Sequence, residues 1–278
     1  DEAIGRTDLL AQVSRGAAHL DDLDLNPLLV QVDTKEPVTY APDHRVEVPD
    51  SLDAEILRDG EPFFLRGEKM QLQYNVRNVQ RALGARTSSA IVRKFGERAL
   101  PEGRLHVRLE GSAGQSLGAF AVQGLTLEVS GDANDYVGKG LSGATILLHP
   151  PVHDRFEAAS NTIIGNTCLY GATAGRLYAA GQAGVRCAVR NSGAEAVIEG
   201  CGANGCEYMT NGRVAVLGPV GDNFGAGMTG GLAFVWDPDK RFEHVANPDS
   251  IDWQPLSELP AEHIERFQQM VSLHAERT

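Results

Sequence analysis

The sequence contains no run of 18 apolar residues, so it predicts no membrane-spanning helix. Cysteine is scarce, at 4 in 278 residues. That is too few for a disulfide framework and fits a reduced, cytoplasmic protein. Basic residues are also short, 25 Lys and Arg against 37 Asp and Glu, for a net charge of −12. Nucleic-acid binding, which neutralises phosphates with Lys and Arg, is therefore not expected. The opening "DEAIGRTDLL" lacks a basic n-region and an apolar h-region, so it does not read as a signal peptide. Starting at Asp1, the chain reads as a piece of something longer. There is no G-x-S-x-G elbow and no G-x-x-x-x-G-K-[ST] phosphate loop.

Glycine is abundant instead, at 31 residues, most of them between Gly111 and Gly231. "GDNFGAGMTGG" (221–231) carries G-x-G-x-x-G at Gly225, Gly227 and Gly230. "GDANDYVGKGLSG" (131–143) repeats it at Gly138, Gly140 and Gly143. Weaker relatives are "YGATAG" (170–175) and "YMTNGRVAV" (208–216), and aromatics recur at Tyr136, Tyr170, Tyr208 and Phe224. A dinucleotide-binding turn needs a helix opening directly on its glycines, because the pyrophosphate sits at that helix N-terminus. Here "GLAFVWD" and "ATILLHPP" follow, and both read as strands. The glycines are thus expected to be corners, where positive φ or close backbone approach is required.

Short β-branched runs lie between them, at 125–129, 144–148, 161–165, 186–190, 195–200, 213–218 and 231–237. Strand and glycine turn repeating every ~16–19 residues reads as a right-handed parallel β-helix of roughly seven coils. The expected fold is mainly β: flanking elements over 1–103, the β-helix over 104–237, and a C-terminal segment over 238–278. Both flanking segments are expected to dock on the coils. A short helix is expected over 6–16, connector over 20–33 and 37–49, helices over 50–60 and 87–96, and a half-buried strand over 70–76. The best helix is "LPAEHIERFQQMVSL" (259–273), with Ile264, Phe267 and Val271 on one face.

Three groups invite chemistry. Cys201 and Cys206, with Cys168 and Cys187 upstream, lack the close pairs of a zinc site and suit small buried hydrophobes. His149 and His153 flank "PPV", where proline prevents the helix that would align them. Glu195, Glu199 and Glu207 offer carboxylates of the kind that cleave sugars in pairs, but spacing alone assembles no pair. No catalytic, cofactor-binding or metal residue is assigned.

The stretch "NTIIGNTCLYGATAGRLYAAGQAGVRCAVRNSGAEAVIEGCGANGCEYMTNGRVAVLGPVGDNFGAGMTGGLAFVWD" (161–237) closely resembles the C-terminal glycine-rich domain of the large subunit of bacterial NADPH-dependent glutamate synthase. "GRTDLL" (5–10), "NVQRALGAR" (78–86) and "GLTLEVSGDANDYVGKGLSGA" (124–144) match the same family. The resemblance implies a β-helix domain in an enzyme that makes two glutamates from glutamine and 2-oxoglutarate. In that family an amidotransferase domain frees ammonia, and an FMN barrel with a 3Fe-4S cluster uses it. A small subunit with FAD and 4Fe-4S clusters supplies electrons from NADPH. It further implies that this segment carries none of these groups, packs between the catalytic domains, and is inactive alone. The pair His149 and His153 departs from the family pattern. The alternatives are a β-helix interaction subunit like that of formylmethanofuran dehydrogenase, which residues 1–100 argue against, and a carbohydrate-active β-helix enzyme.

Overall fold

The computed structural model describes residues 49–97, 100–151 and 157–278, with isolated positions between 10 and 29. The chain divides into two compact units, Asp1–Pro49 and Asp50–Thr278; the second holds every element that follows. The helix and connectors expected at 6–16, 20–33 and 37–49 lie largely outside the described residues.

In the second unit, helices α1 (Leu52–Asp59) and α2 (Glu61–Arg66) precede strand β1 (Met70–Val76), and α3 (Ala85–Phe95) follows it. Next come β2 (Leu105–Ala113), β3 (Leu125–Ala133), β4 (Ser142–His149), β5 (Thr162–Ile164), β6 (Ala174–Ala179) and β7 (Gln182–Ala183). The chain continues through β8 (Ser192–Ile198), β9 (Asn211–Val216), β10 (Leu232–Val235), the single-turn helix α4 (Phe242–Val245) and α5 (Ala261–Arg277).

These strands correct the expected fold. They form one ten-stranded parallel sheet in the order β1-β2-β3-β4-β6-β8-β9-β10, with β5 and β7 paired off that path. Helices contribute to its core, so the fold combines α and β and is not the mainly β solenoid expected over 104–237. The sheet also starts earlier, since β1 pairs in parallel with β2 from Met70↔Leu105 to Val76↔Gly111. The physical reason lies in burial. Along β4, β6, β8 and β9 the side chains are buried on both faces, which is how strands of covered parallel sheets read. Ile146, Leu177, Ala196 and Val214 face the main core; Leu147, Tyr178, Val197 and Ala215 face a second one. Turn spacing in the sequence reports strand length but not what covers each face.

Helices α1, α2 and α3 enter the main core through Leu52, Ile56, Phe63 and Ile91. Asp53 of α1 ties the group together. Its buried carboxylate accepts hydrogen bonds from the Gly84 N–H at 3.1 Å, the Thr87 N–H at 3.0 Å and the Thr87 hydroxyl. It thereby satisfies the otherwise unpaired donors at the start of α3. Burial pushes the Asp53 carboxyl above its ordinary range, and the Thr87 and Gly84 bonds pull against that rise.

The glycine motif forms a stack of turns beside the sheet. Segments 116–120, 136–140, 167–171, 186–190, 204–208 and 223–227 each have positive φ at their first, third and fifth residues. The third residue donates its N–H to the preceding turn: Gly138 to Leu117, Leu169 to Val137, Ala188 to Cys168, Cys206 to Cys187, and Gly225 to Gly205. The first and fifth donate to the following turn, as Tyr136 does to Asn166 and Gly140 to Tyr170. The N–H groups of the three left-handed residues thus point alternately up and down the stack, while Lys139, a fourth residue, donates within its own turn to Tyr136. Segment 186–190, expected to be a strand, is one of these turns. One end of the stack meets Leu83, whose carbonyl accepts from Gly118. At the other, Phe224 bonds with Val245 and Asn247 and stacks edge-on against Phe242.

Most left-handed positions here are not glycine, so φ alone does not explain the motif; packing supplies the rest. At Gly140 (φ +62°) an added Cβ would lie 2.6 Å from the Phe120 ring, and at Gly227 (φ +65°) 2.3 Å from the Tyr208 ring. Each ring lies on the glycine backbone of the next turn. A larger residue at Gly140 or Gly227 must displace that ring as well as hold a left-handed backbone, and is expected to cost about 1–3 kcal/mol. Gly171 (φ +62°) has nothing within 4 Å of an added Cβ, so Gly171→Ala should cost less than Gly140→Ala. Denaturant unfolding of the three variants checks this; equal costs would remove the ring contact as a cause.

Candidate functional site

The most highly developed polar assembly lies on the second face of the sheet, under α5. Register places Leu147, Tyr178, Val197, Ala215 and Phe234 in one row across five strands. Helix α5 covers this row with Phe267, Met270 and Leu273, the Phe267 and Phe234 rings lying 4.9 Å apart. Burying one such aromatic is worth about 1.5–3 kcal/mol. The neighbouring row is Thr145, Arg176, Glu195 and Arg213.

Glu195 sits at the centre of that polar row. Arg266 of α5 grips it with two hydrogen bonds, the Nε to Oε1 contact being 2.8 Å. Arg213 Nη1 and Arg176 Nε approach from the flanking strands at 3.6 and 3.8 Å. The Glu195 hydrogen bonds hold the Arg266 guanidinium firmly protonated. Glu102 accepts from Arg176 at 2.6 Å, Arg277 at 2.8 Å and the Thr145 hydroxyl at 3.0 Å. Glu199 faces buried His274 at 3.3 Å. The Tyr178 hydroxyl beneath has no hydrogen-bond partner among the described residues, and burial raises its pKa.

The three carboxylates singled out by sequence therefore part company. Glu195 and Glu199 belong to the seat of α5, while Glu207 lies in the turn 204–208 and its carbonyl accepts from Arg190. No two of them face one open cleft as a glycosidase pair would. Sequence reasoning missed the arginines. Arg176 and Arg213 could have been found by aligning strands on the glycine turns, since opposite charges then fall in register with Glu195. Arg266 left no local signal.

All four cysteines are buried and free. Cys168 and Cys187 take the inward second place of their turns, as Leu117 and Val137 do in theirs. Burial pushes the thiols of Cys168 and Cys201 up to about 12 and those of Cys187 and Cys206 well above their ordinary value. Among the described residues no three His, Cys, Asp or Glu side chains are placed to hold a metal ion.

His149, at the end of β4, lies 3.7 Å from Glu128 Oε1, with its Nδ1 3.0 Å from the Pro150 carbonyl. Glu128 is shared with His106 at 2.6 Å and Arg108 at 3.3 Å. Burial lowers the His106 pKa and Glu128 partly restores it. His153 lies outside the described residues. Gly138, Gly140, Gly225 and Gly227 sit in the turn stack, and strands β4 and β10 follow the motif. No helix N-terminus opens on either copy, so neither has the architecture of a dinucleotide site. Among the described residues no helix is long and apolar enough to cross a membrane.

With this geometry in hand, comparison with known proteins is decisive. The GXGXG motif family model matches residues 53–278. The chain belongs to the GXGXG family. It is 59% identical to the glutamate synthase [NADPH] large chain of Azospirillum brasilense over 92% of its own length and 17% of that relative. It is 44% identical to the glutamate synthase [NADH] of Schizosaccharomyces pombe over 91% of its length and 12% of that relative. It is 43% identical to ferredoxin-dependent glutamate synthase 2 of Synechocystis over its full length and 18% of that relative. The resemblance to a domain of the glutamate synthase large chain is thereby borne out. The chain spans less than a fifth of the length of these relatives.

Two measurements follow from the site. The four buried thiols should not react with Ellman's reagent until the chain unfolds; fast reaction at neutral pH would contradict the burial described. Burial pushes the Glu102 carboxyl up, but Arg277, Arg176 and Thr145 outweigh it and hold it below its ordinary value. A depressed carboxyl contributes stability above its unfolded pKa, and that stability is lost as pH falls through the folded one. Thermal stability should therefore decline on acidification through the carboxylate range, and less steeply in Glu102→Gln.

Proposed function

We propose that the chain is a non-catalytic positioning domain in the large chain of an NADPH-dependent, cytoplasmic glutamate synthase. That enzyme forms two L-glutamates from L-glutamine and 2-oxoglutarate. The domain packs against the amidotransferase domain and the FMN- and 3Fe-4S-bearing synthase domain of the same polypeptide. The small subunit, with FAD and 4Fe-4S clusters, is a further candidate partner. NADPH is chosen over NADH and ferredoxin because the Azospirillum relative carries that donor in its name.

The observation that carries this reading is the use the fold makes of its reactive side chains. Glu195 is spent on arginines, Glu199 on His274, and the thiols on the core. What remains is a stiff stack of turns and a sheet covered on its second face by α5. Such a body holds other parts in place without taking part in bond making.

Replacing His149 by Ala, or Glu207 by Gln, in the full-length chain tests it. Glutamine-dependent NADPH oxidation should stay within about 2-fold of the parent. A general acid or base contributes about 10²–10⁴-fold, so a loss of that size at unchanged melting temperature would make the domain catalytic. The absorption spectrum of the purified 278-residue chain is a second check. It should be flat beyond the protein band, and a flavin or cluster band would overturn the reading.

A further inference from the structure

The exposed face of the turn stack has a composition that the fold does not require. Phe120, Gly140, Gly171, Arg190, Tyr208 and Gly227 are the fifth residues of successive turns, and each of the first five donates its N–H to the fourth residue's carbonyl in the following turn. Three of the six are glycine, so the column accepts glycine. Yet Phe120 and Tyr208 hold left-handed backbone, at φ +57° and +53°, while 59% and 52% exposed. An aromatic residue at positive φ is uncommon and strained. Even with Gly140 against the Phe120 ring and Gly227 against the Tyr208 ring, about half of each side chain stays exposed.

The neighbouring positions extend the pattern. Tyr136, at the first place of its turn, is 37% exposed, with the Lys139 ammonium 5.6 Å from its ring centroid. The Arg190 guanidinium lies 5.9 Å from the Tyr208 ring. Lys139, Arg186 and Arg190 make no ion pair among the described residues, although the chain as a whole carries net charge −12. Aromatic and arginine side chains are what interface centres are enriched in. Here they stand on a backbone pinned by hydrogen bonds on both sides, so little ordering cost remains on binding.

We propose that this face of the turn stack, centred on Phe120, Tyr136, Arg190 and Tyr208, docks another part of the same long polypeptide. The partner surface it fits is apolar, with carboxylates facing Lys139, Arg186 and Arg190. The occupant is argued from length: in the Azospirillum relative the matched segment is 17% of the chain, so most of the polypeptide lies outside it. This rests on the reading of the chain as one domain of a glutamate synthase large chain.

The test uses the full-length chain. A photo-reactive benzoyl-phenylalanine is placed at 120 or 208, and at 236 as control, because Trp236 is 64% exposed but off the stack. Positions 120 and 208 should cross-link to peptides of the same chain outside these 278 residues, at least 5-fold more than 236. Yields no higher than at 236, or cross-links to a second copy or to the small subunit, would sink the proposal. Hydroxyl-radical footprinting of the unsubstituted chain gives a second reading if the probe disturbs folding. Phe120 and Tyr208 should be protected while Trp236 is oxidised; oxidation of all three at rates set by their exposure counts against docking. A full-length chain without glutamate synthase turnover would count against the proposed function. A free face in an active chain counts against this inference alone.

Discussion

The structure depends on one backbone constraint: the first, third and fifth residues of each glycine-motif turn are left-handed, and their N–H groups point alternately one way and the other along the stack. Buried amides must find acceptors, and a turn with ordinary φ throughout would aim its donors elsewhere. Because the turn above and the turn below both accept, each fixes its neighbours, and the register of the parallel sheet follows. Twelve of the eighteen left-handed positions tolerate side chains, which shows how strongly the hydrogen bonding over-determines the backbone. Glycine is retained where a neighbour's ring comes down on the chain.

The sheet has two covered faces with different characters. The main core takes the inward turn residues and the N-terminal helices, and it accepts cysteine as readily as leucine. The second face alternates an apolar row with a charged one, and α5 matches both: Phe267 and Met270 over the first, Arg266 and Arg277 over the second. Neither row alone would orient the helix. The apolar contact supplies most of the attraction, and the ion pairs set position along the strands. Exposed ion pairs are worth little singly, but here they share carboxylates and fall in register.

Much of this was legible from the residues. β1 matches the strand read over 70–76, α1 lies within the helix read over 50–60, and α5 begins within the stretch read as the best helix. The corner reading of Gly225 and Gly227 also holds. What failed did so for physical reasons. Segment 186–190 looks like a strand because Cys187, Ala188 and Val189 are all buried, and side-chain type does not reveal left-handed backbone. β2 and β6 were missed because their polar members, His106, Arg108 and Arg176, point to the second face, where charge is expected. The covering of the sheet's second face by α5 rests on contacts remote in sequence, such as Glu195 with Arg266, 71 residues apart. The surroundings of Glu195 and Glu199 were hidden for the same reason: the residue types were recognisable, but Arg266 and His274 lie 71 and 75 residues away.

The up-and-down alternation of donors has a consequence for how such a chain can change in length. Spacing matters within a turn: one inserted residue would send every later N–H of that turn toward the wrong neighbour. Two would fail as well, because residues two apart, such as Gly138 and Gly140, donate in opposite directions. Insertions and deletions are thus expected outside the turns, where the chain is off the ladder. The stack behaves as a ruler with fixed divisions, and drift in this family is expected to be written in side chains rather than in spacing.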